Sequence, residues 1–275
     1  MTEALLWNAM TQAELDAAYN NMAAVANSGA RLADWADRSA RLRVQLPDEL
    51  EIAYGPRPRN RFDVFRCGRA SAPLVVFIHG GWWQRNSKEV FSCVAEGPLA
   101  HGLDVALIGY TLAPEASLAE IAAEVSTALD AIVAHQMQRG GSTHFILSGW
   151  SAGGHLTALS MQHPAVAAGV SISGVFDLEP IRLSYINDKL RLSADAVAPL
   201  SPAHATPTGK PLTIAYGLAE LPEMQRQSVD YVAHAERSGK PVTCLPLAGH
   251  DHFSIIEELA SAEGQLARLC VGYAG

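Results

Sequence analysis

The amino-acid sequence predicts an α/β fold with a mostly parallel central sheet and helices on both faces. Three observations carry that prediction. From Pro73 onward, short apolar runs alternate with helix-length segments, the rhythm of parallel strands joined by crossover helices. One run, Phe145 to Gly149, ends in Gly149-Trp150-Ser151-Ala152-Gly153 and passes straight into a helix-like stretch beginning at Leu156. Another, Leu74 to Ile78, ends in His79-Gly80-Gly81-Trp82-Trp83.

The elements follow in order. Residues Thr11 to about Arg43 read as mostly helix, within an N-terminal helical segment spanning 1–45. Thr11 and Glu14 have the spacing of a capping box, in which each side chain satisfies a backbone N–H of the other. Leu15, Ala18, Met22 and Val25 recur at helical spacing, with a break expected at Asn27-Ser28-Gly29. Leu50 to Tyr54 and Phe62-Asp63-Val64 alternate like antiparallel edge strands, divided by the turn-prone Gly55-Pro56-Arg57-Pro58. Strands are then expected at 74–78, 104–109, 144–149, 167–172, 212–216 and 242–247, with helices at 87–100 and 117–135. Residues 178–208, rich in Leu, Ser, Pro and Ala, break the rhythm and read as a cap-like insertion over the active site. With 275 residues, 49% of them hydrophobic, all of this fits one domain over 1–275.

Charge and cysteine usage narrow the function. A net charge of −8, with no basic run, argues against nucleic-acid and anionic-membrane partners. The substrate is therefore expected to be a small molecule and not a polyanion. The four cysteines are scattered, with no pair at metal-ligand spacing, which reads as reduced and structural. Neither a signal peptide nor a span-length apolar run is evident, so a soluble, cytoplasmic protein is expected. No cofactor and no metal are implied. Oligomeric state is left open, with a homodimer among the options.

The two glycine-rich loops carry the chemistry. Gly149 to Gly153 is the G-x-S-x-G nucleophile elbow in its required context, a strand entering a sharp turn and a helix leaving it. Side chains at either glycine would collide with the neighbouring strand or helix, so Ser151 is the expected nucleophile. In the α/β-hydrolase fold, the loop after the earlier strand completes an oxyanion hole, here from the N–H groups of Gly81, Trp82 and Ala152. The triad order in that fold is Ser, then acid, then His, each following a strand. Of ten histidines, only His250 and His252 follow the last strand, and His252 sits at the loop-to-helix junction. His252 is favoured as the base. For the acid, Glu220 follows strand 212–216 and precedes Pro222, while Asp177, after the preceding strand, is the competitor. Glu223, in the first turn of the next helix, is explained by the helix dipole alone.

These residues resemble the kynurenine formamidases (arylformamidases), a group related to the hormone-sensitive-lipase branch of α/β hydrolases. His79-Gly80-Gly81-Trp82-Trp83 matches their His-Gly-Gly-x-Trp motif. The likeness continues through Gly149 to His155, Ser173 to Leu178, Asn187 to Leu192, Glu220 to Ser228 and Asp251-His252-Phe253. Ala18-Tyr19-Asn20-Asn21 resembles the family's N-terminal helix. The resemblance implies Ser151 as nucleophile, Glu220 as acid (where family members often carry Asp) and His252 as base, leaving Asp177 structural. It implies acyl transfer on an aryl formamide or arylamide such as N-formylkynurenine. His79, Gly80, Trp83, Phe176 and Tyr185 are candidates to line an aromatic pocket, with core packing the alternative for each. Two other readings stand beside it, a small-acyl carboxylesterase and a catalytically silent binding protein on the same fold.

Overall fold

The structure, a computed structural model, describes residues 5–240 and 242–274. Eight strands form one sheet: β1 (Ile52–Ala53), β2 (Arg61–Phe65), β3 (Leu74–Ile78), β4 (Asp104–Ile108), β5 (Phe145–Trp150), β6 (Val166–Ile172), β7 (Leu212–Gly217) and β8 (Thr243–Leu247). Their order across the sheet is β1-β2-β4-β3-β5-β6-β7-β8. The β1–β2 and β2–β4 pairs are antiparallel and every other pair is parallel. This is the α/β-hydrolase architecture.

Alternation along β3 shows why the sheet is covered on both sides. Leu74, Val76 and Ile78 enter one apolar core, while Val75 and Phe77 enter the other. A strand whose five side chains are all buried needs a helix layer on each face. The 22-residue helix Leu118–Arg139 supplies part of the first layer, opened by a Ser117–Glu120 capping box and closed by Gly140 in the left-handed region.

The N-terminal segment is divided into helices Gln12–Ala18, Asn21–Ala24 and Ser28–Gln45. The Thr11–Glu14 capping box is present, but of the break expected at Asn27-Ser28-Gly29 only Asn27 lies outside a helix, because the third helix starts at Ser28 and runs through Gly29. That helix packs Trp35 against Phe91, Trp150 and Phe253, and Trp35 Nε1 donates to Glu257. The stretch expected as helix over 87–100 is a 3-10 helix, Lys88–Ala95, running into a short α-helix, Glu96–Ala100. One reason is visible at Cys93, whose N–H donates to Ser39 Oγ on the packed helix instead of continuing an α-helical ladder.

Beside this turn, Lys88 Nζ lies among Asp63, Glu51 and Glu89, with Arg43 also on Asp63. Those three carboxylates are the one acidic group among the described residues close enough to share an ion, and the ammonium already occupies their centre. Residues 178–208 contain helices Glu179–Leu183, Asn187–Leu190 and Ala194–Leu200, with Ile181, Leu190 and Val197 buried in the first core. The four cysteines are unpaired. Among the described residues, no helix is long and apolar enough to cross a membrane.

Candidate active site

The C-terminal edge of the parallel strands is where helix N-termini and loops converge, and the candidate residues all lie there. Ser151 follows β5 directly, at φ +57° and ψ −116°, and heads helix Ala152–Leu159. A Cβ on Gly153 would sit 1.9 Å from the Ile78 carbonyl oxygen, and one on Gly149 would sit 2.3 Å from that of Gly153. The turn therefore closes only with glycine at both positions, and it holds Ser151 in a strained conformation that lifts its hydroxyl clear of the sheet.

Glu220 stands three residues past β7 and His252 five past β8. His252 Nε2 is 3.1 Å from Ser151 Oγ, and its Nδ1 is 2.9 Å from Glu220 Oε2. A carboxylate only accepts, so Nδ1 carries the proton and Nε2 presents its lone pair to the serine hydroxyl. Glu220 is fixed from its other side, where Oε1 accepts from Gly217 N–H and Ser173 Oγ, both at 2.6 Å. Ser151 and His252 are each 3% exposed and Glu220 is 6% exposed. Trp150 packs its ring on His252 at 5.0 Å and donates Nε1–H to the His252 carbonyl at 2.7 Å, which fixes the His252 backbone.

The loop after β3 turns sharply beneath this line. Gly81 has φ +120°, followed by Trp82 and Trp83 at φ +52° and +57°. A Cβ at Gly81 would lie 2.4 Å from the Arg85 carbonyl, so glycine is required there. The loop is pinned by Gln84 and Arg85 N–H groups on the Gly81 carbonyl and by Ala113 N–H on Trp83. Among the described residues, the N–H groups of Gly81, Trp82 and Ala152 donate to no other backbone group. Three backbone donors without a backbone partner thus lie on the two loops that flank Ser151, one of them at a helix N-terminus.

The competing candidates point elsewhere. Asp177 Oδ1 accepts the Glu179 N–H at 3.0 Å, at the start of the helix that follows. His250 Nε2 pairs with Glu258 at 3.0 Å. Glu223 is more than a dipole-favoured residue. It is buried and accepts from Tyr19 OH, Trp7 Nε1 and Arg226, tying the N-terminal segment to helix Pro222–Arg237.

A small, half-open cleft above Ser151 is lined by Asn21, Met22, Leu32, Gly81, Trp82, Arg85, Asn86, Trp150, Ser151, His252 and Phe253. None of His79, Gly80, Trp83, Phe176 and Tyr185 lines it. His79 is sandwiched between Tyr110 and Phe91, with burial holding its pKa down near 4. Trp83 is fully buried edge-on to His155, and Phe176 stacks on Tyr231. Large aromatic side chains carry the most apolar area, and burial claims them for the core. Gly80 works from below: a Cβ there would meet Trp150 and Ser151. Tyr185, half-buried, takes an N–H contact from its own backbone to Asp16. A larger groove, about 650 Å³, runs past Met161, Pro199, Pro207 and Tyr231 and touches none of the Ser151 group.

Sequence reasoning missed Asn21, Met22, Leu32, Arg85, Asn86, Trp150 and Phe253 as cleft residues. The Asn21 and Met22 wall is carried in from a region more than a hundred residues before Ser151, and no local pattern marks it.

Comparison with known proteins points the same way as the geometry. A family model described as BD-FAE matches residues 64–177. Kynurenine formamidase of Salmo salar is 30% identical over 244 residues, covering 82% of each chain. Kynurenine formamidase of Danio rerio is 26% identical over 291 residues, covering 98% of each. A crystal structure from Silicibacter sp. TM1040 that carries a provisional thioesterase label has a TM-score of 0.85 at 30% identity, over 94% of this chain and 99% of that one. An esterase from Pyrobaculum calidifontis shares the fold at TM-score 0.68 and 17% identity, over 88% and 90% of the two chains.

Proposed function

The chain belongs to the kynurenine formamidase family of α/β hydrolases, and on that premise we propose that it hydrolyses the formyl–nitrogen bond of an aryl formamide such as N-formylkynurenine. The observation that carries this reading is the hydrogen-bonded line from Glu220 through His252 to Ser151, beside three free N–H groups.

Ser151 Oγ attacks the formyl carbon as His252 Nε2 takes its proton. Negative charge gathers on the formyl oxygen, where the Gly81, Trp82 and Ala152 N–H groups meet it. Because these donors are held in place before reaction, they cost no reorganisation, and this is the largest rate term expected. Glu220 holds the imidazole tautomer and stabilises the imidazolium without taking the proton. The intermediate collapses as the carbon–nitrogen bond breaks and His252 returns its proton to the departing nitrogen. An aryl amine leaves more readily than an alkyl amine because its lone pair delocalises into the ring. Water, deprotonated by His252, then attacks the formyl-serine ester and releases formate.

A second reading, hydrolysis of a small-acyl ester or thioester, is favoured by the thioesterase label on the Silicibacter structure, at 30% identity over nearly the whole chain. The same residues would act, and only the leaving group differs. Turnover of N-formyl-L-kynurenine, with p-nitrophenyl acetate and Ser151→Ala alongside, separates the two. A kcat/KM of about 10⁴ M⁻¹s⁻¹ or more for deformylation, abolished in Ser151→Ala, supports the formamidase reading. Ester cleavage with negligible deformylation overturns it and leaves the esterase.

A further inference from the structure

The helix headed by Ser151 ends in different surroundings from those in which it begins. Its last residues, Ala158 and Leu159, line the larger groove that runs past Met161, Pro199 and Pro207. Leu212, the first residue of β7, and Val242, just before β8, line it too. The groove therefore lies at the N-terminal edge of the parallel strands, the opposite edge from Glu220 and His252. Nothing in the chemistry at Ser151 accounts for it.

Its charge is what sets it apart. The chain has four lysines, and two of them, Lys210 and Lys240, line this groove, whereas among the described residues no Asp or Glu does. Neither of the two is in an ion pair among the described residues, while Lys88 sits among three carboxylates. Lys210 is half-buried, and its Nζ donates to the His163 carbonyl at 2.7 Å. Desolvation, with no opposing charge, holds its pKa below the ordinary value. Lys240, though exposed, folds back over the neighbouring loop. Its Nζ lies 3.3 Å from where a Cβ on Gly209 would stand, and Gly209, at φ +80°, adjoins Lys210. An ammonium has three hydrogens to donate, so both lysines keep donors to spare. A cation drawn partly out of water without a counter-charge gains from a carboxylate brought to it.

The remaining walls are largely apolar. Tyr231 is the one residue that helix Pro222–Arg237 brings to the groove, and its ring is held by stacking on Phe176 at 4.4 Å. Apolar walls with a few charged groups are the usual make-up of a small-molecule site. In a chain of net charge −8, a concave place with two lysines and no carboxylate draws anions locally. We propose that this groove is a second binding site, separate from the Ser151 cleft, for a small apolar carboxylate. The anion meets Lys210 and Lys240, and the hydrocarbon part lies along Met161, Leu212 and Tyr231. The site does not depend on which bond is hydrolysed at Ser151.

The test titrates 4-phenylbutyrate, and its neutral counterpart 4-phenylbutan-1-ol, into the full chain carrying ¹³C-methyl methionine. Met161 lines the groove and Met22 lines the Ser151 cleft, so their methyl signals, assigned with Met161→Leu and Met22→Leu, report the two places separately. The Met161 signal should shift saturably with a Kd of about 1 mM or tighter, the range open to a ligand of this size. High salt should weaken binding, and both Lys240→Met and the change from acid to alcohol should weaken it at least about fivefold. Lys240 is exposed, so its substitution leaves the fold intact. Absence of a Met161 shift at about ten times that concentration overturns the proposal. A shift confined to Met22 puts the anion in the catalytic cleft and overturns the second site. Equal binding of acid and alcohol, or undiminished binding in Lys240→Met, overturns the carboxylate contact.

Discussion

Replacing Glu220 with Gln tests the catalytic line without changing its shape. In the structure, Glu220 Oε1 accepts two hydrogen bonds, from Gly217 N–H and Ser173 Oγ, and Oε2 accepts one from His252 Nδ1. A glutamine has only one oxygen. If that oxygen keeps Gly217 and Ser173, the amide nitrogen faces His252 and donates to Nδ1. The imidazole must then carry its proton on Nε2, where it cannot accept from Ser151 Oγ. If the amide flips, its NH₂ faces the Gly217 N–H, donor against donor in a buried place. The first arrangement keeps all contacts and is the one expected, so the variant should fold normally with the wrong tautomer. The same swap in the Ser-His-Asp triad lowers kcat about 10⁴-fold, which corresponds to about 5 kcal/mol of lost transition-state stabilisation. We expect a loss of that size in kcat for whichever substrate the wild type turns over, with KM and the thermal midpoint little changed. Glu220→Asp should recover part of the loss because it restores an acceptor on Nδ1. Steady-state kinetics with melting curves for both variants decides the matter. A Gln variant within tenfold of wild type would refute the role given to Glu220.

Three further outcomes follow from the packing. His79 and His155 are fully buried, and desolvation holds each near pKa 4 against an ordinary 6.5. Below pH 6.5 the unfolded chain binds protons that the folded one refuses. Stability is therefore full above that pH and falls until about pH 4, by roughly 3 kcal/mol for each histidine. Urea midpoints at pH 7.5, 5.5 and 4.5 should show the slope, and His79→Phe should remove about half of it; a flat profile contradicts the argument. Gly153→Ala drives a methyl into the Ile78 carbonyl, 1.9 Å from the built Cβ, so a loss of about 3 kcal/mol or more in unfolding free energy is expected, together with loss of activity. Trp35→Ala removes the ring packed on Trp150 and Phe253 behind His252. It should cost about 3–5 kcal/mol and lower kcat as the base loses its support, and a variant with wild-type kcat would show that the loop holds itself.

The parts of this protein that can be read from its sequence are those with local rules. Leu74 to Ile78 announces a buried parallel strand because five successive apolar residues demand cover on both faces, and Phe145-Ile146-Leu147 opens a second such strand just before the elbow. The elbow is legible for a similar reason: the contacts that exclude a side chain at Gly149 and Gly153 arise within one strand–turn–helix unit and the adjacent strand. Strand order alone narrows the candidates to Glu220 or Asp177 and to His250 or His252; the loop-to-helix junction favours His252, and the family resemblance favours Glu220. The wall opposite the nucleophile obeys no such rule. Tyr19 reaches Glu223 across 204 positions, and Asn21 sits on a four-residue helix where an asparagine looks like any other cap. Aromatic residues misdirect for a physical reason, since the apolar area that suits Trp83 or Phe176 to a ligand suits them equally to the core, and here the core holds them. Asn21, like His79 and Trp83, carries a buried polar atom without a partner, and a missing partner is a property of three dimensions. The candidate chemistry therefore lies in short motifs that strand order assembles, whereas the surface that would choose a leaving group is brought to Ser151 by long-range packing of the N-terminal segment.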